Sequence, residues 1–394
     1  MSATGPAASS VRPFEDPEYD RRLAAARHDM AARGLDALIV FAQESLYYLF
    51  GYDGGGYVFF QCAVLHAEDR PTTLLCRRPD VAQARDISRI DEVRVWLNAE
   101  GANPARDLLA ILKDEGLEGS RVGIETDSYS LTGFNCRAVY EAAEGVVDLV
   151  EASGIVRGLR VVKSPAELNL MRRAAELADA AVTAIARTAR PGVLDSTLTA
   201  AAMTAMLEGG GDMPPAGPLV NSGSRAVYGR GVGGARGLSD SDLVMVELAG
   251  TYRRYNACIE RCVVVGAVSD AQASMHALVR DTLEEMLEAF RPGEPLGRID
   301  EIHRARLDAA GYADVRYAAC GYSLGATYRP SWMDVPPMIY AGNPLELRPG
   351  MVFFPHVMLG DTRTGLAMGL GETVVVTDGA PEVLSGLLRD LVLA

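Results

Sequence analysis

The sequence predicts an α/β N-terminal domain followed by a second, separately organised domain, and three observations carry that expectation. Helix-like and strand-like stretches alternate through the first part of the chain. A capped helix then opens at Ser164, and it and a second long helix further on end in the same Arg-Pro-Gly tripeptide. At 394 residues the chain also exceeds what one hydrophobic core usually covers.

The elements follow in order. "DPEYDRRLAAARHDMAARG" places Leu23, Arg27, Met30 and Ala31 near one face and stops at Gly34, as a glycine-terminated helix does. "LDALIVF" (Leu35–Phe41) is short and apolar, a buried strand, and "YVFFQCAVLH" and "PTTLLC" read as two more. "PARDLLAILKDEG" is helix-like and "RVGIE" is a strand. The boundary falls near "GLRVVKSPAELNLMRRAAELADAAVTAIARTARPG", giving domains at 15–160 and 161–394 after a disordered tail at 1–14. Ser164, Pro165 and Glu167 form a capping box with proline at the first helical position. Leu168, Met171, Ala175, Ala178, Val182 and Ile185 recur at helical spacing until "RPG" at Arg190–Gly192. "SDAQASMHALVRDTLEEMLEAF" repeats the device and ends at Arg291–Gly293, which suggests an internal duplication. Between them, "DLVMVELAGTYRRYNACIERCVVVG" (Asp242–Gly266) is a strand, a turn and a second strand.

Composition narrows the functions. The net charge of −14 lacks the basic footprint that nucleic acid or an anionic membrane requires, so neither is expected as a partner. No apolar run approaches the roughly 20 residues that cross a bilayer. The first residues do not resemble a signal peptide. Cys62, Cys76, Cys136, Cys258, Cys262 and Cys320 are scattered, in neither disulfide nor zinc-knuckle spacing, and a reducing cytoplasm is the simplest setting.

Glu247 stands out because it interrupts an apolar strand. Burial would raise its pKa towards the range of a general base or nucleophile, unless Arg253 or Arg254 ties it down as a structural ion. Cys258 is either a thiol nucleophile or a small buried space-filler, and Glu260 either a site carboxylate or a partner of Arg261.

Five segments together resemble the creatinase/aminopeptidase P/methionine aminopeptidase superfamily: "RVVKSPAELNLMRRAAELAD", "DLVMVELAGTYRRYNACIERC", "CGYSLG", "LRPGMVFF" and "GETVVVTDG". The N-terminal "EYDRRLAAARHDMAARGLDALIVF" and "YYLFGYDGG" are similar to its prolidase- and creatinase-type members. The resemblance implies an α/β N-terminal domain plus an α+β pita-bread C-terminal domain, in which two pseudo-symmetric helix pairs back a curved sheet, and it implies a homodimer.

Metal-dependent members hold two divalent ions with two aspartates, a histidine and two glutamates. Here those positions are Glu247, Cys258, Tyr322, His356 and Gly371, with Glu372 beside the last. Hard dications need several oxygen ligands, so neither a metal nor another cofactor is expected, although Glu247, Cys258 and His356 could together hold one zinc. The nearer likeness is to the metal-free ectoine hydrolase/creatinase branch. It is carried by Glu247–Gly250 with Arg254-Tyr255, by Gly321–Gly325, by "YRPSWMD" (Tyr328–Asp334) and by Gly371-Glu372-Thr373. "IERC" (Ile259–Cys262) is similar to a creatinase segment whose glutamate grips a guanidinium, which implies that role for Glu260.

That branch implies hydrolysis of a C–N bond in a small amidine, guanidine or cyclic zwitterion. The expected catalytic residues are Glu247, His356 (a titrating group near neutral pH) and Glu372. The expected substrate contacts are Tyr322, Glu260, Cys258, Asp334, and Tyr228 and Arg230 from the loop "NSGSRAVYGRGVGG", which lacks the histidine its relatives carry. Tyr52, Asp53 and Tyr57 lie in a glycine-rich loop that in pita-bread dimers reaches the neighbour's pocket. His28, His66, His276 and His303 receive no role. Two other functions stay open: a metal-dependent Xaa-Pro dipeptidase with substituted ligands, and a non-hydrolytic binding protein or enzyme with a redirected site.

Overall fold

The computed structural model describes residues 12–394, in two compact units that meet in sequence between Arg160 and Val161. The tail expected at 1–14 lies outside the described residues as far as Val11. Its last residue, Phe14, is buried, with the Arg22 guanidinium 4.3 Å from its ring centroid.

In the first unit six strands, β1 (Ala37–Val40), β2 (Cys62–His66), β3 (Thr73–Arg77), β4 (Glu92–Trp96), β5 (Arg121–Ile124) and β6 (Asp148–Glu151), form one sheet in the order β4-β3-β2-β1-β5-β6. Helices α1 (Asp16–Ala32), α2 (Gln43–Phe50), α3 (Val81–Ile87), α4 (Pro104–Asp114), α5 (Gly133–Ala143) and α6 (Gly154–Arg160) accompany it. The sheet is apolar on both faces. Leu38 and Val40 of β1 join one core with Met30 and Phe50, while Ala37 and Ile39 join another with Leu108 and Ile111. The strand expected in "YVFFQCAVLH" starts only at Cys62, because Gly56–Val58 form a turn of 3₁₀ helix.

The second unit is built on strands β7 (Leu219–Ser222), β8 (Leu243–Tyr252), β9 (Tyr255–Val264), β10 (Gly321–Leu324), β11 (Met333–Met338), β12 (Val352–Asp361) and β13 (Leu366–Gly371), in the order β11-β10-β12-β13-β9-β8-β7. Helices α7 (Pro165–Thr188) and α8 (Asp195–Glu208) make one pair, and α9 (Asp270–Glu288) and α10 (Gly297–Ala309) the other. Ser164 accepts from the Glu167 amide while the Glu167 carboxylate accepts from the Ser164 amide, the capping box the sequence proposed. Ser269 and Gln272 repeat it on α9. The two Arg-Pro-Gly stops also repeat, since Gly192 and Gly293 share a φ of 85°, a left-handed value that glycine adopts without cost.

β8 and β9 form a hairpin closed by Arg253 (φ 50°) and Arg254 (φ 65°). This is the left-handed pair that a two-residue turn matched to the strand twist requires. Alternating side chains of the hairpin face opposite ways. Val244, Val246, Leu248, Ile259 and Val263 pack under α7 and α8. At Gly250 the helix comes so close that an added Cβ would meet the Ala174 carbonyl and the Ala178 amide. Met245, Glu247, Ala249, Cys258, Glu260 and Cys262 occupy the other face, which carries the candidate site.

Candidate active site

Glu247 and Glu260 are directly opposed in the β8–β9 ladder, where Cβ atoms ordinarily stand about 4.5–5.5 Å apart. Two carboxyl groups this close and this buried cannot both ionise cheaply. Burial raises both pKa values. Glu260 is pushed well above the carboxylate range, first by burial and then by the Glu247 charge. Neither Glu260 oxygen has a hydrogen-bond partner, which is what a carboxyl held neutral for want of a cation looks like. Gly369 on β13 makes room for it, because a Cβ there would run into the Glu260 carboxyl.

Glu247 is the more accessible of the two and opens onto a cleft of about 650 Å³, a size ordinary for a small-molecule site. Arg230, Tyr317, Tyr322, Trp332, His356 and Met358 line it as well. The Tyr322 hydroxyl donates to Glu247 Oε1 at 2.9 Å and accepts from Trp332 Nε1 at 2.7 Å. This relay fixes the carboxylate's orientation and works against the rise in its pKa, as does the nearby positive charge of Arg230. Tyr322 itself is held well above the usual phenol range by burial and by the Glu247 charge, so it acts as a donor. Asn221 Nδ2 donates to the carbonyls of Tyr228 (2.9 Å) and Arg230 (3.4 Å), pinning the loop that brings Arg230 to the rim. The Tyr317 hydroxyl donates to the Val227 carbonyl at 2.9 Å, a second anchor for the same loop.

The structure therefore brings Glu247, Glu260, Tyr322, Arg230 and His356 together. The ion-pair alternative for Glu247 is replaced, since its hydrogen bond runs to Tyr322 while Arg253 and Arg254 form the hairpin turn. Tyr228 is exposed and lines a small side chamber with Asn221, Glu247 and Glu260.

Several expectations need correction. His356 lines the cleft, but burial lowers its pKa to about 4. It is thus a neutral imidazole at physiological pH and not the near-neutral titrating group expected. Glu372 lies on the other side of the sheet. Gly371 pairs with Glu260 and His356 on the site face, so its neighbour points away. There Glu372 accepts from Arg261 at 2.6 Å and from Arg389 at 3.2 Å, a buried structural ion pair. Asp334 is buried against Gly325, outside the cleft lining. Cys258 lies beneath the floor, and burial raises its thiol well above the ordinary range, which makes it a space-filler rather than a nucleophile. Tyr52 is wholly buried in the first unit with its hydroxyl on Gln61 at 3.2 Å, which leaves no surface to meet a substrate. Asp53 is partly exposed and its carbonyl accepts from Gln83; Tyr57 is partly exposed as well. Trp332, Asn221 and Tyr317 are additions that the sequence reading missed, although "YRPSWMD" pointed at the first.

A dinuclear metal centre does not fit these residues. Of the five positions where the resemblance places its ligands, only Glu247 carries a carboxylate, Tyr322 is a phenol already engaged at both ends, and Cys258 is a buried thiol. At Gly371 the room for a ligand is taken, because an added Cβ would collide with the Phe354 ring and come within 3.0 Å of the His356 Cβ.

Comparison with known proteins agrees with this architecture. Residues 22–162 match the creatinase/prolidase N-terminal domain, and residues 169–378 match metallopeptidase family M24. The chain is 28% identical to ectoine hydrolase of Halomonas elongata, over 96% of this chain and 98% of that protein. It is 23% identical to the Xaa-Pro dipeptidase of Pyrococcus furiosus, over 92% and 97%. The crystal structure of X-Pro aminopeptidase from Thermotoga maritima superposes with a TM-score of 0.82 at 20% identity, covering 95% of this chain and 99% of that one. With a creatinase-type N-terminal domain and a pita-bread C-terminal domain, the chain belongs to metallopeptidase family M24, within the creatinase/aminopeptidase P superfamily.

Proposed function

We propose that this protein is a metal-independent hydrolase that opens a C–N bond in a small amidine- or guanidine-like, or cyclic zwitterionic, molecule, working as a cytoplasmic homodimer. The observation that carries the reading is the directly opposed Glu247–Glu260 pair, with Glu247 on the cleft and both carboxyls on the small chamber beside it. Two carboxyls that cannot both ionise alone can do so around a planar cation, which offers each of them N–H donors. Binding such a cation satisfies the orphaned Glu260 oxygens and releases the proton the pair otherwise keeps. Arg230 at the rim supplies the counter-charge for a substrate carboxylate.

In the reaction, water adds to the electrophilic amidinium carbon while Glu247 takes its proton, and the C–N bond then breaks as that proton passes to the leaving amine. Amidine and water become amide and amine. Tyr322 holds the Glu247 carboxyl in register through the attack. The likeness to ectoine hydrolase supports this class of substrate. The test is turnover of cyclic amidines including ectoine, guanidino acids and Xaa-Pro dipeptides, each followed by mass spectrometry with and without a chelator. Chelator-indifferent consumption of an amidine or guanidine is expected. Xaa-Pro cleavage that depends on added divalent metal, with no amidine or guanidine consumed, overturns the reading.

A further inference from the structure

Away from the cleft floor, three buried side chains converge that the proposed reaction does not use. Asp300 and His303 lie one turn apart on α10, and Cys320 immediately precedes β10. Their exposures are 3%, 1% and 1%, and their ligating atoms all lie within 4.8 Å of one another. Asp300 Oδ1 and His303 Nδ1 have no hydrogen-bond partner and stand 3.8 Å apart, too far to satisfy each other. Polar atoms so deeply buried are normally paired, and two orphans aimed at one point with a thiol beside them require an explanation.

A Cys-His-Asp nucleophile is not that explanation, because none of the three lines the cleft and no substrate reaches the sulfur. We infer that Asp300, His303 and Cys320, with one solvent oxygen as the fourth ligand, form a mononuclear zinc site that fastens α10 to the start of β10. Carboxylate, imidazole and thiolate are the ligand types zinc accepts together. Zinc–ligand bonds of about 2.0–2.3 Å at tetrahedral angles set the ligand atoms roughly 3.4–3.6 Å apart. The Asp300–His303 gap already sits near that value, and the widest pair closes by about an ångström, within reach of a side-chain rotation. Burial raises the Asp300 pKa, and hydrogen bonds to it from Cys320 and the Ala341 backbone, with the charges of Arg304 and Arg316, work against that rise; Arg316 is itself held by Asp308 at 2.6 Å. The His356 amide donates to the Cys320 carbonyl at 3.0 Å, so the site abuts the cleft wall while its ligands remain separate from the Glu247 machinery.

The experiment titrates chelator-treated full-length protein with Zn²⁺, then with Co²⁺ as a spectroscopic probe. We expect one ion per chain with a Kd of about 1 µM or tighter. Cobalt should show a thiolate charge-transfer band with the intense visible absorption of a tetrahedral site. Zinc at about a hundred times its Kd should raise Tm by roughly 5–10 °C. Cys320→Ser and His303→Gln should each weaken binding at least tenfold, whereas Cys258→Ser and Glu247→Gln should leave it unchanged. Absence of the thiolate band in the wild-type protein overturns the inference, whatever the variants do. So does a zinc stoichiometry below about 0.2, or loss of binding in Cys258→Ser with retention in Cys320→Ser. If Cys320→Ser fails to fold, the wild-type cobalt spectrum and His303→Gln decide.

Discussion

Replacing Tyr322 with phenylalanine removes one oxygen atom on which two hydrogen bonds depend. Trp332 Nε1 loses its acceptor at 2.7 Å and Glu247 Oε1 its donor at 2.9 Å. The tryptophan is 5% exposed, so its N–H is left buried and unsatisfied, at a cost of about 1–3 kcal/mol. Glu247 opens onto the cleft, where water takes over the missing donor, so little more is added on that side. A stability loss of about 1–3 kcal/mol is therefore expected from equilibrium urea unfolding. The chain has two tryptophans, Trp96 and Trp332, so a Trp96→Phe background reports Trp332 alone, and its emission should shift. Trp332→Phe combined with Tyr322→Phe should cost less than the two single changes added together, since the orphaned N–H goes with it. The same hydroxyl works against the rise in Glu247's pKa, so without it that pKa moves further up. The acid limb of the pH–rate profile should follow it to higher pH. A loss below about 0.5 kcal/mol, with unshifted Trp332 emission and an unmoved acid limb, would refute the relay.

Other expectations follow from neighbouring residues. Glu247→Gln should fold normally and lose about 10²–10⁴ in turnover, checked by steady-state kinetics beside circular dichroism; near-full turnover would remove Glu247 from the centre of the chemistry. Gly369→Ala drives a methyl into the Glu260 carboxyl, so affinity for a cationic substrate should fall more than thermal stability does, measured by calorimetry and Tm. In the first unit Glu125 is fully buried, accepts from Ser45 and from the Phe41 and Ala42 amides, and has its pKa raised by burial to about 7. A carboxyl raised in the folded state stabilises fully below its unfolded pKa, and that contribution is lost as pH rises through the folded value. The wild-type protein should thus lose about 3 kcal/mol between about pH 4.5 and pH 8, and Glu125→Gln should flatten this slope in urea unfolding.

Much of the fold was legible because its signals are local. The Ser164–Glu167 capping box, the two Arg-Pro-Gly stops and the apolar strands all read directly from neighbouring residues. Glu247 was legible for a similar reason, as a charge that breaks an apolar run. The errors have separate physical causes. The likeness carried by Gly371-Glu372-Thr373 implies a site role for Glu372, but a strand sends adjacent side chains to opposite faces. One residue thus decides between the candidate cleft and a structural ion pair. A near-neutral pKa for His356 fails because sequence does not reveal how completely its ring is buried. Nor could the spacing of Asp300, His303 and Cys320 announce a cluster, since Cys320 reaches it by way of β10 and not along the helix.

The aromatic ring that occupies the space beside Gly371 constrains where this lineage can go next. Placing a glutamate there without first shrinking Phe354 creates a clash. The rings of Tyr322 and His356 each stand 5.5 Å from that of Phe354, centroid to centroid. Shrinking Phe354 alone therefore opens a cavity in the wall between them. Either change at this pair is thus harmful before the other is in place, and the path to a metal-binding glutamate there is a valley rather than a slope. Directed evolution by single substitutions should therefore keep to the carboxylates already present, and installing a dinuclear metal centre calls for simultaneous exchange at several positions.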